Sequence, residues 1–275
     1  MSPTLARVAC IIPAKDEQQL IAATVTAART LPHVELVIVC DDGSTDATGQ
    51  HAAAAGAIVV THKRNRGKAA ALESAVNALG VLEQRDGRPE SGTLLLLDAD
   101  LGASAARCRS LVDPVVAGQA DLTVAVLPTR TAAPGEPGAL DLAVAAAARG
   151  ITELTGWTPQ APLSGQRCLT RRAFELASPL AAGWGAEVGM TVDVLRAGLR
   201  VEEIAVDLDQ RATGRDLAGQ LHRAGQLRDV GRALAARGLV ASGWEELRSQ
   251  GVAGLLDRGR SLANDLAAKR RGRDG

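Results

Sequence analysis

Aromatic side chains are scarce in this chain of 275 residues, which has one Phe, three Trp and no Tyr. Proteins that bind single-stranded nucleic acid stack bases on aromatic side chains, so this class loses support. The net charge offers no alternative signal, because 31 Lys and Arg residues balance 31 Asp and Glu residues. We therefore expect no nucleic-acid partner, and a core built from Ala, Leu and Val.

Signals of metal clusters, membranes and secretion are also missing. None of the four cysteines forms a C-x-x-C pair, so the usual zinc spacing is absent. No apolar run approaches the roughly 20 residues that a membrane-spanning helix needs. The charged residues 15–17 follow the first apolar run too closely for a secretory signal. We expect a cytoplasmic protein.

Short apolar segments alternate with helical segments in the first half of the chain. The predicted strands are residues 7–12, 34–40, 57–60 and 93–97. The predicted helices between them are residues 18–30, a segment that ends near residue 56, and residues 69–79. This alternation is typical of βαβ units and predicts an α/β fold, with a mostly parallel sheet flanked by helices.

Three polar clusters follow three of these strands. They are residues 13–17, 41–46 and 98–100. The carboxyl ends of parallel strands meet at one edge of a sheet, and ligands of such sheets bind outside that edge. We therefore expect the three clusters to converge on one rim that binds a ligand.

The aspartates at positions 98 and 100 are the most informative pair on this rim. They follow four leucines that read as a buried strand, and side chains two residues apart on a strand point the same way. Two carboxylates at the end of a buried strand are costly unless a cation compensates them. A divalent metal that carries a phosphorylated ligand would do so. The alternative is a pair of solvated aspartates that begins the next helix.

Asp41, Asp42 and Lys68 are the other charged candidates on the rim. The two aspartates lie beside Gly43, where the backbone can turn tightly, and their carboxylates could accept hydrogen bonds from a base or a ribose. Lys68 lies at a predicted helix start, where a cation is unfavourable, so an anionic partner such as a phosphate would explain it. The alternative is an ordinary exposed basic residue. No G-x-G-x-x-G and no P-loop motif occurs, which disfavours dinucleotide dehydrogenases and P-loop nucleotidases.

Four segments of the first 130 residues or so resemble, in order and spacing, the family 2 glycosyltransferases of the GT-A type. They also resemble the related glucosyl-3-phosphoglycerate synthases and dolichyl-phosphate sugar transferases. The segments are I-I-P-A-K-D-E (11–17), V-I-V-C-D-D-G-S-T-D (37–46), N-R-G-K-A-A-A-L (65–72) and L-L-L-D-A-D-L (95–101).

The resemblance implies a Rossmann-like GT-A fold, a nucleotide-sugar donor and Mg²⁺ or Mn²⁺ as cofactor. Pro13, Ala14 and Glu17 match the family's nucleotide loop, and Asp42, with Asp41 beside it, matches the carboxylate that binds the base. Lys68 matches a basic residue near the base or the phosphate. Asp98 and Asp100 match the Asp-x-Asp element that holds metal and diphosphate. Asp16 departs mildly from the family, which more often has Asn there.

Two segments of the second half resemble the sugar and acceptor side of the same family. Ser164 and Gly165 match its S-G motif, and residues 183–189 match a segment whose glutamate faces the donor sugar. By this resemblance Glu187 would bind sugar hydroxyls. The alternative is that Glu187 only stabilises the dipole of the helix that it begins.

Residues 201–206 are a further predicted strand, and the resemblance implies a third metal ligand in the loop that follows it. Related enzymes often carry a histidine there, and this chain has Gln210 or Thr213 instead. His222 could take that place if the loop folds back, or it is an ordinary surface histidine. Arg211 and Arg215 could bind the diphosphate or an acidic acceptor. The other three histidines have no predicted role.

The predicted domain organisation is a nucleotide-sugar-binding and catalytic domain over residues 1–215 and a helical extension over residues 216–275. Residues 244–269 read as an amphipathic helix with a basic end. Such a helix could make peripheral contact with an anionic membrane, but packing on its own domain is the favoured reading. A homodimer is left open.

These observations predict a metal-dependent hexosyltransferase that moves a sugar, glucose by preference, from a UDP-type donor. The acceptor is unidentified, with a small phosphorylated metabolite and a polyprenyl phosphate both open. Glu187, Asp100 and Asp207 are the candidate catalytic residues, and an inverting and a retaining route both remain open. The alternatives are a sugar-phosphate nucleotidyltransferase and a catalytically silent nucleotide-sugar-binding protein.

Overall fold

A seven-stranded sheet forms the centre of the computed structural model, which describes residues 7–127, 139–209 and 217–239. The strands are β1 (Val8–Ala14), β2 (Val34–Asp41), β3 (Ile58–Thr61), β4 (Thr93–Leu96), β5 (Leu122–Val126), β6 (Arg167–Thr170) and β7 (Val201–Ala205). Their order across the sheet is β3-β2-β1-β4-β6-β5-β7. Only β6 runs antiparallel to its two neighbours, so the described sheet is mostly parallel, as predicted.

Helices cover both faces of this sheet. They are α1 (Ile21–Ala28), α2 (Thr48–Ala54), α3 (Lys68–Arg85), α4 (Arg109–Val116), α5 (Ala139–Thr155), α6 (Arg171–Ala177), α7 (Gly185–Arg196) and α8 (Leu217–Ala236). A 3₁₀ segment, Gly102–Cys108, leads into α4. With the mostly parallel sheet, this arrangement is the α/β fold that the sequence predicted, and it agrees with the Rossmann-like GT-A type that the resemblance implied.

The alternation of side chains along β1 explains the two layers of core. Cys10 and Ile12 belong to the cluster that α1 and α4 cover, whereas Ile11 belongs to the cluster that α3, α6 and α7 cover. All three side chains are fully buried. Because both faces of the strand are covered, it reads as a continuous apolar run.

Strand β1 continues through Pro13, where the sequence predicted its end. The register pairs Pro13 with Cys40 and Ala14 with Asp41 of β2. The carbonyl of Ala14 accepts from Asp42 N at 2.8 Å, so the backbone of Ala14 faces β2 and that of Pro13 faces the opposite side. On that side the pairing of β1 with β4 ends at Ile11, so the missing N–H of Pro13 interrupts no ladder bond.

Helix α3 is also longer than predicted, because it passes Gly80 and ends at Arg85. A glycine in a helix costs only about 1 kcal/mol, and Glu83 anchors the added turn. The Glu83 carboxylate is buried, pairs with Arg171 Nη2 at 2.6 Å and accepts from Ser91 N at 2.7 Å. The polar connection between α3 and β4 therefore begins after residue 85.

Helix α8 packs against α5 and α7 through a separate apolar cluster. Ile151, Val188, Val230 and Leu234 are fully buried within it. Gly150 permits close approach, because a Cβ there would collide with the Leu234 side chain. The predicted helix over residues 244–269 lies outside the described residues, and in the described part no helix is long and apolar enough to cross a membrane.

The buried pair of Glu83 and Arg171 should be essential for stability. We expect Arg171→Met to lower the free energy of unfolding by about 2–4 kcal/mol, because it leaves the carboxylate of Glu83 buried without its cation. Urea denaturation followed by circular dichroism measures this. The matched control is Arg109→Ala, which breaks an exposed pair with Asp113 and should cost less than about 0.5 kcal/mol. Equal losses in the two variants would contradict the assignment.

Candidate functional site

The three polar clusters lie at one rim, as predicted, because β2, β1 and β4 are neighbours and run parallel. Hydrogen bonds tie the first two clusters together. Asp16 N donates to Ser44 Oγ at 2.9 Å, and Asp16 Oδ1 accepts from Thr45 N at 2.7 Å. Glu17 N donates to Thr48 Oγ1 at 2.8 Å. The loops that follow β1 and β2 therefore form one unit.

Asp16 is the centre of this unit and has a left-handed backbone, with φ of 53°. Asp and Asn tolerate this conformation better than most residues. Hydrogen bonds from Lys15 and from the backbone of Thr45 hold the pKa of Asp16 below its ordinary value. Asp16 stands where the family more often has Asn, and its Oδ1 still accepts from the loop that follows β2.

Asp42 is buried, and three protein groups donate to its carboxylate. Oδ1 accepts from His62 Nδ1 at 2.7 Å and from Arg66 N at 2.8 Å, and Oδ2 accepts from Gly67 N at 2.8 Å. An ionised carboxylate offers about four acceptor positions. Among the described residues only Gly67 N donates to Oδ2, which leaves one acceptor position on that oxygen.

Asp41 is also buried but serves its own loop. Its Oδ1 accepts from Ser44 N at 2.9 Å, which closes the turn after β2. A Cβ at Gly49 would lie 2.7 Å from Asp41 Oδ2, so this glycine leaves room for the carboxylate.

Lys68, Asp98 and Glu187 form an ion-pair cluster at the rim. The Nζ atom of Lys68, the first residue of α3, lies 2.7 Å from Asp98 Oδ1 and 2.9 Å from Glu187 Oε1. Burial alone would lower the pKa of Lys68, but the charges of the two carboxylates outweigh burial and raise it. Burial likewise favours a raised pKa for Asp98, and the charge and hydrogen bond of Lys68 hold it below the ordinary value.

Gly165 makes this cluster sterically possible. A Cβ at this position would lie 2.5 Å from Lys68 Nζ and 2.7 Å from Asp98 Oδ2. Three buried polar atoms near the cluster have no hydrogen-bond partner within the described part of the chain: Glu187 Oε2, Ser164 Oγ and Gln166 Oε1. Because unpartnered buried polar atoms are rare, these three fit a site that a polar ligand completes.

Arg167 is a site residue that we did not predict. Its side chain is fully buried, and it donates to Ser164 O at 2.7 Å and to Thr191 Oγ1 at 2.9 Å. Burial lowers the pKa of Arg167 to about 10, against the opposing charges of Glu187, Glu203 and Asp98. Arg167 thereby fastens the Ser164 loop to α7. The sequence offered no signal beyond its position two residues after Gly165.

Asp100 and Asp207 occupy different surroundings. Asp100 is half-buried in the turn that follows Asp98. The side chain of Asp207 is 79% exposed and pairs with Arg107 Nη1 at 3.0 Å, so its described contacts lie outside the Lys68 cluster.

Three predicted residues cannot be placed. Arg211 and Arg215 lie outside the described residues, and His222 lies on α8 with its side chain outside the description. Within the described ranges, no group of three His, Cys, Asp or Glu side chains is arranged to hold a metal ion.

Comparison with known proteins identifies relatives of this chain. The family model described as glycosyl transferase family 2 matches residues 9–161. No curated protein matches the chain.

Crystal structures of glucosyl-3-phosphoglycerate synthase from Mycobacterium tuberculosis share the fold. The complex with phosphoglyceric acid is 25% identical, with a TM-score of 0.65 over 84% of this chain and 80% of that chain. The complex with Mn²⁺, UDP-glucose and phosphoglyceric acid is 25% identical, with a TM-score of 0.64 over 84% and 79%. The complex with Mg²⁺ and UDP is 25% identical, with a TM-score of 0.63 over the same shares.

Replacing Lys68 should destabilise the protein in a pH-dependent way. Lys68→Met leaves two carboxylates without their cation, so we expect a loss on the order of 2 kcal/mol at pH 7. The contribution of Asp98, whose pKa is lowered from 3.8, is lost as the pH falls through the folded value. That of Lys68, whose pKa is raised from 10.5, is fully present at neutral pH.

The difference in unfolding free energy between wild type and Lys68→Met should therefore be constant near neutrality and shrink below about pH 4. Urea denaturation between pH 3 and 8 measures it, with Lys68→Arg as the variant that keeps the charge. A difference that does not change with pH would contradict the ion-pair account.

Proposed function

Because this chain belongs to glycosyl transferase family 2, we propose that it transfers glucose from UDP-glucose to a hydroxyl acceptor, with Mg²⁺ or Mn²⁺ bound at the rim. Family membership makes the chain a glycosyltransferase, and the donor, the metal and the roles of the residues are what we propose. The observation that carries the proposal is the Lys68–Asp98–Glu187 cluster on the same rim as Asp42.

Asp42 supports a uracil base. The open acceptor position on Oδ2 suits an N–H group, and uracil carries one at N3, between its two carbonyls. Cytosine and adenine present an acceptor nitrogen at the corresponding edge, which a carboxylate disfavours. Pro13 and Ala14 end β1, and Glu17 lies in the following loop, which hydrogen bonds fix against this region. We therefore assign these three residues to the nucleotide as well.

Asp98 and Asp100 fit a divalent metal. Magnesium is usually held by one or two carboxylates, with substrate phosphates and water completing its shell. Two aspartates at the end of β4 supply such a set, and His222 remains the proposed additional ligand. When bound, the metal would neutralise the charge of the departing diphosphate. Similar structures in complex with Mn²⁺ and UDP-glucose, and with Mg²⁺ and UDP, support this assignment.

Glu187 and Ser164 suit the sugar. Their unpartnered oxygens can bind sugar hydroxyls, and Lys68 fixes the other oxygen of Glu187. Gly165 lets the backbone approach closely, and Arg167 holds the loop that carries Ser164. We propose Glu187 as the residue that orients the sugar.

For the acceptor we propose a phosphorylated hydroxy compound. A similar structure binds phosphoglyceric acid, and Arg211 and Arg215 are the cations that we assign to an acidic acceptor or the diphosphate. A polyprenyl phosphate shares the phosphate chemistry. Asp207 remains a candidate base for the acceptor hydroxyl, next to its partner Arg107.

A panel of nucleotide sugars with Mn²⁺ or Mg²⁺ tests the donor. We expect UDP-glucose to stabilise the wild type by about 2.7 kcal/mol at a concentration of 100 times Kd, with slow release of UDP. Asp100→Ala should abolish both effects. Thermal unfolding and a coupled UDP assay measure them. Stabilisation by nucleoside triphosphates alone would favour a nucleotidyltransferase, and binding without any transfer or hydrolysis would favour a silent binding protein.

Adding one methyl group at Gly165 tests the geometry of the cluster. We expect Gly165→Ala to lower the rate of sugar transfer by a factor on the order of 100, because its Cβ displaces Lys68 and Asp98. Gly80→Ala is the matched control, since a Cβ there meets open space on α3. It should keep full activity and gain up to about 1 kcal/mol of stability. Full activity of Gly165→Ala would contradict the site.

A further inference from the structure

His62 is a buried histidine whose ring is hydrogen-bonded through both nitrogens. It follows the end of β3, and its backbone N donates to Asp41 O at 2.9 Å. Its Nδ1 lies 2.7 Å from Asp42 Oδ1, and its Nε2 lies 2.9 Å from Ser74 Oγ of α3. A ring held at both ends cannot rotate without breaking one of these bonds.

The partners of His62 define the direction of each hydrogen bond. An ionised carboxylate only accepts, so Nδ1 donates to Asp42. In the neutral ring Nε2 then accepts, and the Ser74 hydroxyl is its donor. Arg66 Nη1 lies 3.5 Å from His62 Nε2. A cation at this place favours the tautomer in which Nε2 carries no proton and accepts. The tautomer is thus set by the residues on both sides of the ring.

His62 also determines which oxygen of Asp42 is left for a ligand. Among the residues that the structure describes, His62 Nδ1 and Arg66 N donate to Oδ1, whereas only Gly67 N donates to Oδ2. The two backbone donors, Arg66 N and Gly67 N, both belong to the loop before α3, so their positions depend on that loop. His62 follows β3 directly and its ring is hydrogen-bonded to Ser74 of α3, so these two elements hold the donor Nδ1 in place.

We propose that His62 is a positioning residue for nucleotide recognition, which locks the Asp42 carboxylate so that Oδ2 faces the base. The inference rests on the proposed function, since it takes the nucleotide to be UDP and Asp42 to be its reader. His62 itself does not touch the nucleotide. Its removal should weaken binding of bases that carry an N–H group and leave binding of other bases unchanged.

The test compares UDP with CDP, which differ at the base edge that Asp42 would contact. Isothermal titration in the presence of Mn²⁺ gives the affinity of each nucleotide for wild type and for three variants at one position. In His62→Ala we expect UDP affinity to fall about tenfold and CDP affinity to stay constant. With UDP-glucose, KM should rise by a similar factor while kcat stays within about twofold.

Two conservative variants separate positioning from packing. In His62→Asn the side-chain amide can donate to Asp42 from near the Nδ1 position, so it should recover most of the UDP affinity. In His62→Gln the amide reaches toward Ser74 instead, so it should stay as weak as His62→Ala. If His62→Ala does not fold, the comparison of the Asn and Gln variants decides.

An equal loss of UDP and CDP affinity in the variants would overturn the inference, because it would show a purely structural role. So would equal recovery by Asn and Gln, or Ala and Gln variants that keep the wild-type preference for UDP. A wild-type protein that binds neither nucleotide would instead overturn the proposed function, and the inference with it. Whether the wild type binds UDP therefore distinguishes a failure of the proposed function from a failure of the inference about His62.

Discussion

The ion pairs of Lys68 with Asp98 and Glu187 join three elements that are distant in sequence. They connect the start of α3, the end of β4 and the start of α7. Two carboxylates this close together repel each other unless a cation lies between them, so removing Lys68 would leave an uncompensated charge, above all at the buried Glu187. This cluster also limits the space around it, because a Cβ at position 165 would displace Lys68 Nζ and Asp98 Oδ2. The end of the rim that we assign to the sugar is therefore built around one ammonium group.

The end of the rim that we assign to the nucleotide depends on a second set of hydrogen bonds. Asp16 links the loops after β1 and β2, and Asp42 gathers the backbone that leads into α3. Because α3 begins with Lys68, the loop around Asp42 also determines where the ammonium group lies. A base bound at Asp42 and a diphosphate bound near Asp98 would thus be placed relative to each other by one helix start.

The sequence predicted the architecture because its signals are local. Apolar strands buried on both faces, each followed by a polar cluster, indicate a parallel sheet and a ligand rim without any knowledge of tertiary contacts. We predicted that β1 ends before Pro13 and that α3 ends before Gly80, and both elements are longer. The pairing of β1 with β2 and the buried ion pair of Glu83 with Arg171 outweigh the local propensity of proline and glycine. Lys68, Asp98 and Glu187 were each singled out, but their mutual contact is long-range and carries no sequence pattern. His62 and Arg167 were missed for the same reason, because a histidine or an arginine beside a strand resembles any other until its partners are known.

The account is tested most directly by a crystal structure of the protein with UDP-glucose and Mn²⁺, in which anomalous scattering locates the metal. The account predicts one manganese peak bound by Asp98 and Asp100 and by the diphosphate, with uracil N3 against Asp42 Oδ2 and the glucose hydroxyls within hydrogen-bond distance of Glu187. Manganese and diphosphate bound away from the end of β4, or a uracil that does not contact Asp42, would contradict it.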